Sequence, residues 1–209
     1  MSKELVKKTF SELVKTDSVI KLANLDEFNV LINQNPPAKW IKTNPYANNS
    51  KYLPIDKVEF LLRKIFKDVD IEVLREGVMF NAVTTTVRVH YTHPVTGVKG
   101  FKDGVGASQI QTKKGSSPAD MANINNGAVE MALPKAKTAA IKDACDNLGR
   151  IFGSDLNRKD VIEVTIDENL QDKKYQVERE RILEAIKNGH KPTDEEVEHF
   201  KLNDETIQN

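Results

Sequence analysis

The spacing of apolar residues predicts two helices in the first part of the chain. Residues 3–15 place their apolar side chains on one side of a short amphipathic helix. Asn24 or Asp26 can begin a second short helix, which must end before the Pro pair at 36–37 because proline cannot continue a helix. Residues 36–53 are rich in Pro, Asn and Lys, and this composition predicts a loop.

A helix and then a run of strands are predicted in the middle of the chain. Pro54 opens a helix whose apolar positions share one face, namely Ile55, Val58, Leu61, Leu62, Ile65 and Phe66. Residues 82–91 alternate well between two faces, and 69–75 alternate more weakly. A turn at 93–97 leads to a return strand at 98–105. These patterns predict an antiparallel β-meander of three to four strands.

Small residues mark a second long helix, which we predict over about 130–152. Its apolar face is built largely from alanine, and small side chains let a helix pack closely on a sheet. Gly153 is placed to cap the end of this helix, and a polar loop over 112–127 precedes it. The order of helix, meander and long helix predicts an α+β domain over 52–158, after N-terminal helices and a loop over 1–51.

The C-terminal residues 159–209 are predicted to form an acidic helical tail. One amphipathic helix is expected over 173–188, and a shorter one over 192–200 begins with Thr193 and Glu196 as a capping box. Residues 161–209 contain 7 Lys or Arg against 13 Asp or Glu, whereas the preceding residues contain 24 against 18. A basic body with an acidic tail is compatible with a polyanionic partner.

The composition excludes several classes of protein. With 39% hydrophobic and 30% charged residues, the chain fits a globular protein rather than a disordered one. No apolar run approaches the roughly 20 residues that span a bilayer, and no apolar stretch follows the charged start to make a secretory signal. The single cysteine, Cys145, rules out an internal disulfide. We therefore expect a cytoplasmic protein without a membrane partner.

The sequence contains no catalytic or metal-binding motif that we recognise. Its histidines lie in different predicted elements without a cysteine or paired carboxylate beside them, at His90, His93, His190 and His199. There is no P-loop motif. Cys145 lies within a helix, where a small buried side chain is a simpler interpretation than a nucleophile. We therefore predict that the chain is not an enzyme and uses no metal or cofactor.

Basic residues on several predicted elements are the remaining candidates for function. A groove that follows a nucleic-acid backbone needs such cations, because phosphates recur along the strand. From charge alone, an ordinary solvated surface explains them equally well. Trp40, between Lys39 and Lys42, is either an aromatic residue that anchors its loop to the core, which we favour, or a platform for a base. The candidate DNA-binding residues on this basis are Lys57, Lys64, Arg88, Lys99, Lys102, Lys113 and Lys114.

Two stretches of the chain carry a family resemblance. YLPIDKVEFLLRKIF at 52–66 combines an aromatic residue, a short turn, a basic residue and an apolar helix that ends in Phe. KAKTAAIKDACDNLGRIFGSDLN at 135–157 forms the second stretch, and FKDGVGAS at 101–108 lies between the two. In this order they resemble the annealing domain of the Rad fifty-two family, which includes phage single-strand annealing proteins of the Sak type. The resemblance covers about 52–158, half of the chain.

The resemblance implies a single-stranded DNA-binding protein that anneals complementary strands in homologous recombination or repair, without ATP. The family's domain oligomerises, usually as a ring, with the DNA backbone inward in a basic groove and the bases exposed. By position, Lys57 and Arg150 match phosphate-contacting residues of the family, and the family-like stretch at 135–157 adds Lys135, Lys137 and Lys142 to the candidate DNA-binding residues. Human-type members carry a basic pair where this chain has Asp146 and Asn147, and Lys142 is the candidate substitute. Alternatively, Lys142, Asp146 and Arg150 form a charge ladder that stabilises the helix.

The expected partners are single-stranded DNA, further copies of the chain in a homo-oligomeric ring, and a host or phage single-strand binding protein. The acidic tail can dock that binding protein, compete with DNA for the groove, or be a solvated appendage. A nucleoid-associated location would follow from DNA binding. The alternative function is a protein-interaction module of the same fold without strong DNA binding, and the lack of clustered carboxylates disfavours a nuclease.

Overall fold

The computed structural model describes residues 16–203, and the helix predicted over 3–15 lies outside them. Two compact units are present. The body is Leu31–Val164, and the second, which we call the helical unit, consists of the described parts of Met1–Val30 and Thr165–Asn209. The division into residues 1–51, 52–158 and 159–209 that the sequence suggests stays a prediction.

Helix α1 spans Thr16–Ile32 and therefore begins well before the predicted start at Asn24 or Asp26. The prediction took these polar residues as helix caps. Instead, both lie inside the helix, and the Asp26 carboxylate accepts a hydrogen bond from the backbone N–H of Asp167 at 2.8 Å. The helix does end before the Pro pair at 36–37, as predicted.

The segment predicted as a loop over 36–53 contains regular structure. A 3-10 turn at Ala38–Trp40 leads into a short antiparallel hairpin of strands β1 (Lys42–Asn44) and β2 (Ser50–Tyr52). Strands of three residues are too short to produce a readable alternation, so the sequence pattern did not reveal them. Helix α2 follows at Ile55–Ile65, with Pro54 before its first turn as predicted.

The predicted meander is confirmed. Strands β3 (Lys67–Met79), β4 (Ala82–Thr92) and β5 (Lys99–Gln109) form an antiparallel sheet in the order β3-β4-β5. Alternate residues of β4 are buried, from Val83 to Val89, because they face the helical layer of the body. The opposite surface of the sheet, which we call the open face, carries the polar residues of β4. The fold is α+β.

Helix α3 (Ala128–Asp146) packs directly on β4 and β5. Gly104 and Gly106 make this approach possible, because a Cβ atom on either would lie 2.2 Å from a backbone carbonyl oxygen of α3. The face of α3 toward the sheet is correspondingly small, with Ala136, Ala140 and Ala144 fully buried. The small face of this helix was predicted from the sequence, whereas the role of the two glycines beneath it was not.

The predicted end of the long helix at 152 is wrong. Helix α3 ends at Asp146, and Gly149 takes a φ of +150°, a conformation that L side chains rarely adopt. The buried Ile151 belongs to a separate 3-10 turn at Arg150–Phe152, and Gly153 caps that turn rather than the helix. Because Ile151 is apolar, the apolar pattern of the sequence continues past the end of α3, and this explains the error.

In the helical unit, α4 spans Glu168–Lys187 and α5 spans Asp194–Phe200. Helix α4 begins five residues before the predicted 173, because the Asp167 side chain caps it by accepting from the Leu170 N–H. The predicted capping box of Thr193 and Glu196 is present at the start of α5. None of the helices in residues 16–203 is long and apolar enough to cross a membrane.

Candidate nucleic-acid interface

Basic and aromatic side chains meet where α2 begins and α3 passes beside it. The β1–β2 hairpin and the 3-10 turn before it supply residues from the preceding segment, and helices α2 and α3 supply the rest. We call this surface the lysine–aromatic patch, and its members are Trp40, Lys42, Tyr52, Lys57, Phe60, Lys64 and Lys142.

One half of the patch is centred on Trp40. The Lys57 ammonium nitrogen lies 5.5 Å from the centre of the Trp40 ring, which is within the range of a cation–π contact. The Trp40 and Phe60 rings meet edge to face, with centroids 5.8 Å apart. Trp40 therefore holds its loop against the solvent side of α2, and not against the core, where the favoured interpretation placed it.

The other half of the patch joins α3 to the hairpin. The Lys142 ammonium lies 5.0 Å from the centre of the Tyr52 ring, and burial lowers the pKa of Lys142. Lys42 is the direct cross-strand partner of Tyr52, so both side chains lie on the same face of the hairpin. Three lysines from three elements thus lie beside aromatic rings, and Lys64 lies two turns from Lys57 along α2.

A side-chain amide fixes the hairpin at the patch. Asn157 Oδ1 accepts a hydrogen bond from the Lys51 N–H at 2.7 Å, and Asn157 Nδ2 donates to the Lys51 carbonyl oxygen at 2.8 Å. This reciprocal pair imitates a strand pairing and satisfies both backbone groups of Lys51. The residue closes the second family-like stretch, and its structural function is to hold the strand that presents Tyr52.

Carboxylates accompany the patch lysines. Asp56 forms an ion pair with Lys57 at 3.0 Å, and this contact lowers the pKa of Asp56. Burial and the nearby Asp143 carboxylate together raise the pKa of Asp146 to about 6, although Lys142 opposes the shift. The patch is therefore less positive than a count of its lysines indicates, and part of its acidity titrates near neutral pH.

The predicted site residue Arg88 lies elsewhere, on the open face of the sheet. Its guanidinium binds both carboxylate oxygens of Asp103, at 2.7 and 2.8 Å, and lies 4.0 Å from the centre of the Phe101 ring. The Asp103 hydrogen bonds raise the pKa of Arg88, and the same contact lowers the pKa of Asp103. His90 pairs with Glu72 on this face at 3.2 Å. The cation of Arg88 is thus already neutralised by a partner.

Arg150, matched by position to a phosphate contact, is placed inside the body. Its side chain is 14% exposed and lies 3.7 Å from Asp155. Its terminal nitrogens donate to Asn35 at 3.0 Å and to the Ile162 carbonyl at 3.4 Å. Because Arg150 follows the end of α3, the predicted ladder with Lys142 and Asp146 does not continue to it, and we leave Arg150 out of the interface.

The remaining candidate residues are spread over the body. Lys99 lies on the open face opposite Thr92, and Lys102 faces the helical layer opposite Val89. The other four are exposed, two in the loop after β5 and two on α3, namely Lys113, Lys114, Lys135 and Lys137. Of the eleven predicted residues, Lys57 and Lys142 lie beside the aromatic rings of the patch, and Lys64 lies two turns from Lys57 on the same side of α2.

Four members of the patch were not among the predicted site residues, and one of them, Trp40, had been considered as a platform for a base. Lys42 and Tyr52 were noted in the sequence without a binding role, because only the hairpin register shows that they are neighbours. Phe60 carried a signal that could have found it. It lies about 160° around the helix from the buried Val58, at about 100° per residue, so it belongs to the solvent side of an amphipathic helix.

The side chains that could bind a metal ion or act as a nucleophile are not arranged for either purpose in the described residues. Within residues 16–203, no three His, Cys, Asp or Glu side chains are placed to hold a metal ion together. Cys145 is buried on α3, and burial raises the pKa of its thiol to about 12. A thiol with this pKa is a poor nucleophile at neutral pH.

Comparison with known proteins adds no assignment to this geometry. No family model matches the chain, and no curated protein matches it.

Proposed function

We propose that this chain binds single-stranded DNA through the lysine–aromatic patch and anneals complementary strands. The observation that carries the proposal is the meeting of lysines from the hairpin, α2 and α3 with three aromatic rings on one surface. Lysines attract phosphates at every position along a strand, and aromatic rings stack on any base. The resemblance of 52–158 to an annealing domain gives the same function.

Annealing by such a surface requires no active site. Pairing two complementary strands is energetically downhill, but phosphate repulsion and structure within each strand hinder it. A basic surface reduces the repulsion and holds a strand extended, so the bases of that strand meet their partners more often. No nucleotide hydrolysis, metal or cofactor takes part, and the protein is not an enzyme in this proposal.

The proposed working state is a homo-oligomer, and a ring is its simplest closed form. Strand β3 pairs only with β4 among the described residues, and its other edge has no strand beside it. Helix α3 covers β4 and β5 but leaves apolar residues of β3 exposed, including Val73, Leu74 and Val78. An open edge with an uncovered apolar face favours pairing with a second copy, and repetition head to tail closes a ring.

Light scattering tests the oligomer. We expect particles several times the mass of one chain at micromolar concentration, and we expect the double variant L74K/V78K to shift toward monomer while its circular dichroism stays unchanged. The matched control is Val98→Lys, an exposed apolar residue in the turn before β5. A monodisperse wild-type monomer would contradict the oligomer but leaves DNA binding by one chain testable.

An annealing assay tests the function itself. Two complementary labelled oligonucleotides are mixed with the full chain, without ATP or divalent metal, and duplex formation is followed by fluorescence transfer. We expect the protein to accelerate annealing, and we expect K57Q/K142Q to reduce the acceleration more than K135Q/K137Q, which removes the same charge from another part of α3. Equal rates with and without protein would overturn the proposal.

The second candidate function is a protein-interaction module that shares the fold but binds DNA weakly. Specific observations favour it: Asp56 is paired with Lys57, and Asp146 lies beside Lys142. These carboxylates reduce the attraction for phosphate. Absence of binding to a labelled oligonucleotide at low salt selects this alternative, because counterion release makes any phosphate-binding surface strongest there. A binding assay between the full chain and a host or phage single-strand binding protein would test whether the acidic tail is the docking site for that protein.

A further inference from the structure

Phe60 occupies a position on α2 that the core does not explain. The apolar face of α2 is buried around Val58 and Leu62, and Phe60 lies on the other side of the helix with 54% of its surface exposed. A phenyl ring in this position exposes apolar surface to water, which is unfavourable, and it adds nothing to the core. Aromatic rings among basic side chains are the combination that surfaces for single-stranded nucleic acid use.

The neighbours of Phe60 are lysines at helical spacing. Lys57 precedes it by three residues and Lys64 follows it by four, so all three side chains lie on one side of α2. Trp40 meets the Phe60 ring edge to face and fixes it from the loop. The ring is thus held in place and bracketed by two cations along the helix axis. This arrangement suits a nucleotide, which offers a flat base beside an anionic phosphate.

We infer that Phe60 is a base-stacking platform for bound single-stranded DNA, with Lys57 and Lys64 as the contacts to the flanking phosphates. The inference rests on the proposed function and adds to it a contact with the base itself. Stacking uses the flat face of the base and leaves its Watson–Crick edge free. A base held in this way stays available for pairing, so the platform is compatible with annealing.

The inference separates two contributions to binding that respond differently to salt. A lysine–phosphate contact releases counterions, so its removal lowers the salt dependence of binding, by about 0.7 in the slope of log K against log salt for a single strand. A stacked ring releases none. Loss of Phe60 should therefore weaken binding equally at low and moderate salt, whereas loss of Lys64 should weaken it mainly at low salt.

The experiment compares Phe60→Leu, Phe60→Tyr and Lys64→Gln in the full chain. Binding of an oligonucleotide that carries 2-aminopurine is followed by anisotropy, and the fluorescence intensity of the 2-aminopurine reports stacking. Leucine keeps an apolar side chain without an aromatic face, and tyrosine keeps the face. Tyr46→Leu, a change at a 98% exposed aromatic residue in the β1–β2 turn, serves as the matched control.

We expect F60L to weaken binding about tenfold with an unchanged salt slope, in the range known for one stacked base. It should also abolish the change in 2-aminopurine fluorescence, while F60Y and Y46L stay near wild type. Wild-type affinity and unchanged fluorescence in F60L would overturn the stacking platform alone. If the wild-type protein fails to bind the oligonucleotide at low salt, the proposed function itself fails.

Discussion

The open face of the sheet and the lysine–aromatic patch both carry basic residues on regular elements, yet their cations have different partners. On the open face, Arg88 is bound by both oxygens of Asp103. In the patch, Lys57 and Lys142 lie over the rings of Trp40 and Tyr52, and Lys57 also forms a single ion-pair contact with its neighbour Asp56. A guanidinium held by both oxygens of a carboxylate has little capacity left for a phosphate, whereas an ammonium with one carboxylate contact keeps further N–H donors free.

This difference explains why basic residues on regular elements were a weak guide to the site. Arg88 and Lys57 are equivalent in the sequence, since each lies on the polar side of an amphipathic element. The structure distinguishes them by the residue opposite, which comes from β5 for Arg88 and from the loop before β1 for Lys57. Substitutions that change only one of the two surfaces, or the packing that supports both, therefore test this distinction.

The largest effect is expected from Gly106→Ala, because the sheet and α3 lose their close contact. A Cβ at this position would lie 2.2 Å from the Ala136 carbonyl oxygen and 2.4 Å from the Ala140 nitrogen, so the helix that carries Lys142 must move. Overpacking of this kind costs about 1–3 kcal/mol or more. Urea unfolding should show a clear loss of stability.

Gly77→Ala is the matched control for that variant. A Cβ there would meet only the Thr84 hydroxyl at 3.5 Å, an ordinary contact, so the unfolding midpoint should move little. If G106A unfolded at the same urea concentration as wild type, the close packing of α3 on β5 described here would be wrong.

The double variant K57Q/K142Q should have the next largest effect, on DNA affinity rather than on stability. Two lost phosphate contacts lower the slope of log K against log salt by about 1.4 and weaken binding most at low salt. Anisotropy titrations at two salt concentrations measure both quantities. An unchanged slope would show that these lysines do not contact phosphate.

Arg88→Gln should give the opposite pattern. The substitution frees Asp103, so we expect the melting temperature to fall by at most about 4 °C while DNA affinity and its salt slope stay unchanged. The contact lowers the pKa of Asp103, so this stabilisation is present at neutral pH and is lost as the pH falls through that lowered pKa. A loss of DNA affinity in R88Q as large as in K57Q/K142Q would abolish the distinction between the two surfaces.

The smallest effect, and the one that depends on pH, is expected from Asp146→Asn. In the folded protein the pKa of Asp146 is about 6, raised from 3.8, so its ionised form destabilises the fold. This penalty is absent below pH 3.8, develops between the two values and is complete above about 6. D146N should therefore raise the melting temperature at pH 8 and tighten DNA binding about two- to fivefold there, since one negative charge beside Lys142 is removed.

Measurement of DNA affinity at lower pH supplies the control for D146N. At pH 5 most of the wild-type Asp146 is already protonated, so the affinities of D146N and wild type should converge. A constant difference between the two proteins from pH 5 to pH 8 would show that Asp146 ionisation does not modulate the patch.

The sequence predicted the body of the fold well, because its signals are periodic. The alternation in 82–91, the apolar face behind Pro54 and the alanine-rich face of the long helix each correspond to a layer of the structure. It failed where conformation depends on a distant partner. The start of α1 could not be read because Asp26 accepts from Asp167, which lies far along the chain.

The candidate site was predictable only in part for the same reason. Lys57 and Lys142 were found from their residue type and from the family resemblance. The aromatic rings beside them come from a segment that the sequence assigned to a loop, and the register of a three-residue hairpin places Lys42 next to Tyr52. The inward position of the Arg150 side chain could not be predicted, because it depends on the end of α3 at Asp146 and on the 3-10 turn that follows Gly149.

Lysine footprinting tests the central claim most directly. The full chain is acetylated under limiting conditions with and without single-stranded DNA, and the modification of each lysine is quantified by mass spectrometry. The account predicts that DNA protects Lys42, Lys57, Lys64 and Lys142, while Lys99 on the open face and the exposed Lys187 of α4 react equally in both samples. Protection centred on Lys99, or none at the four patch lysines under conditions where the DNA is bound, would contradict the account.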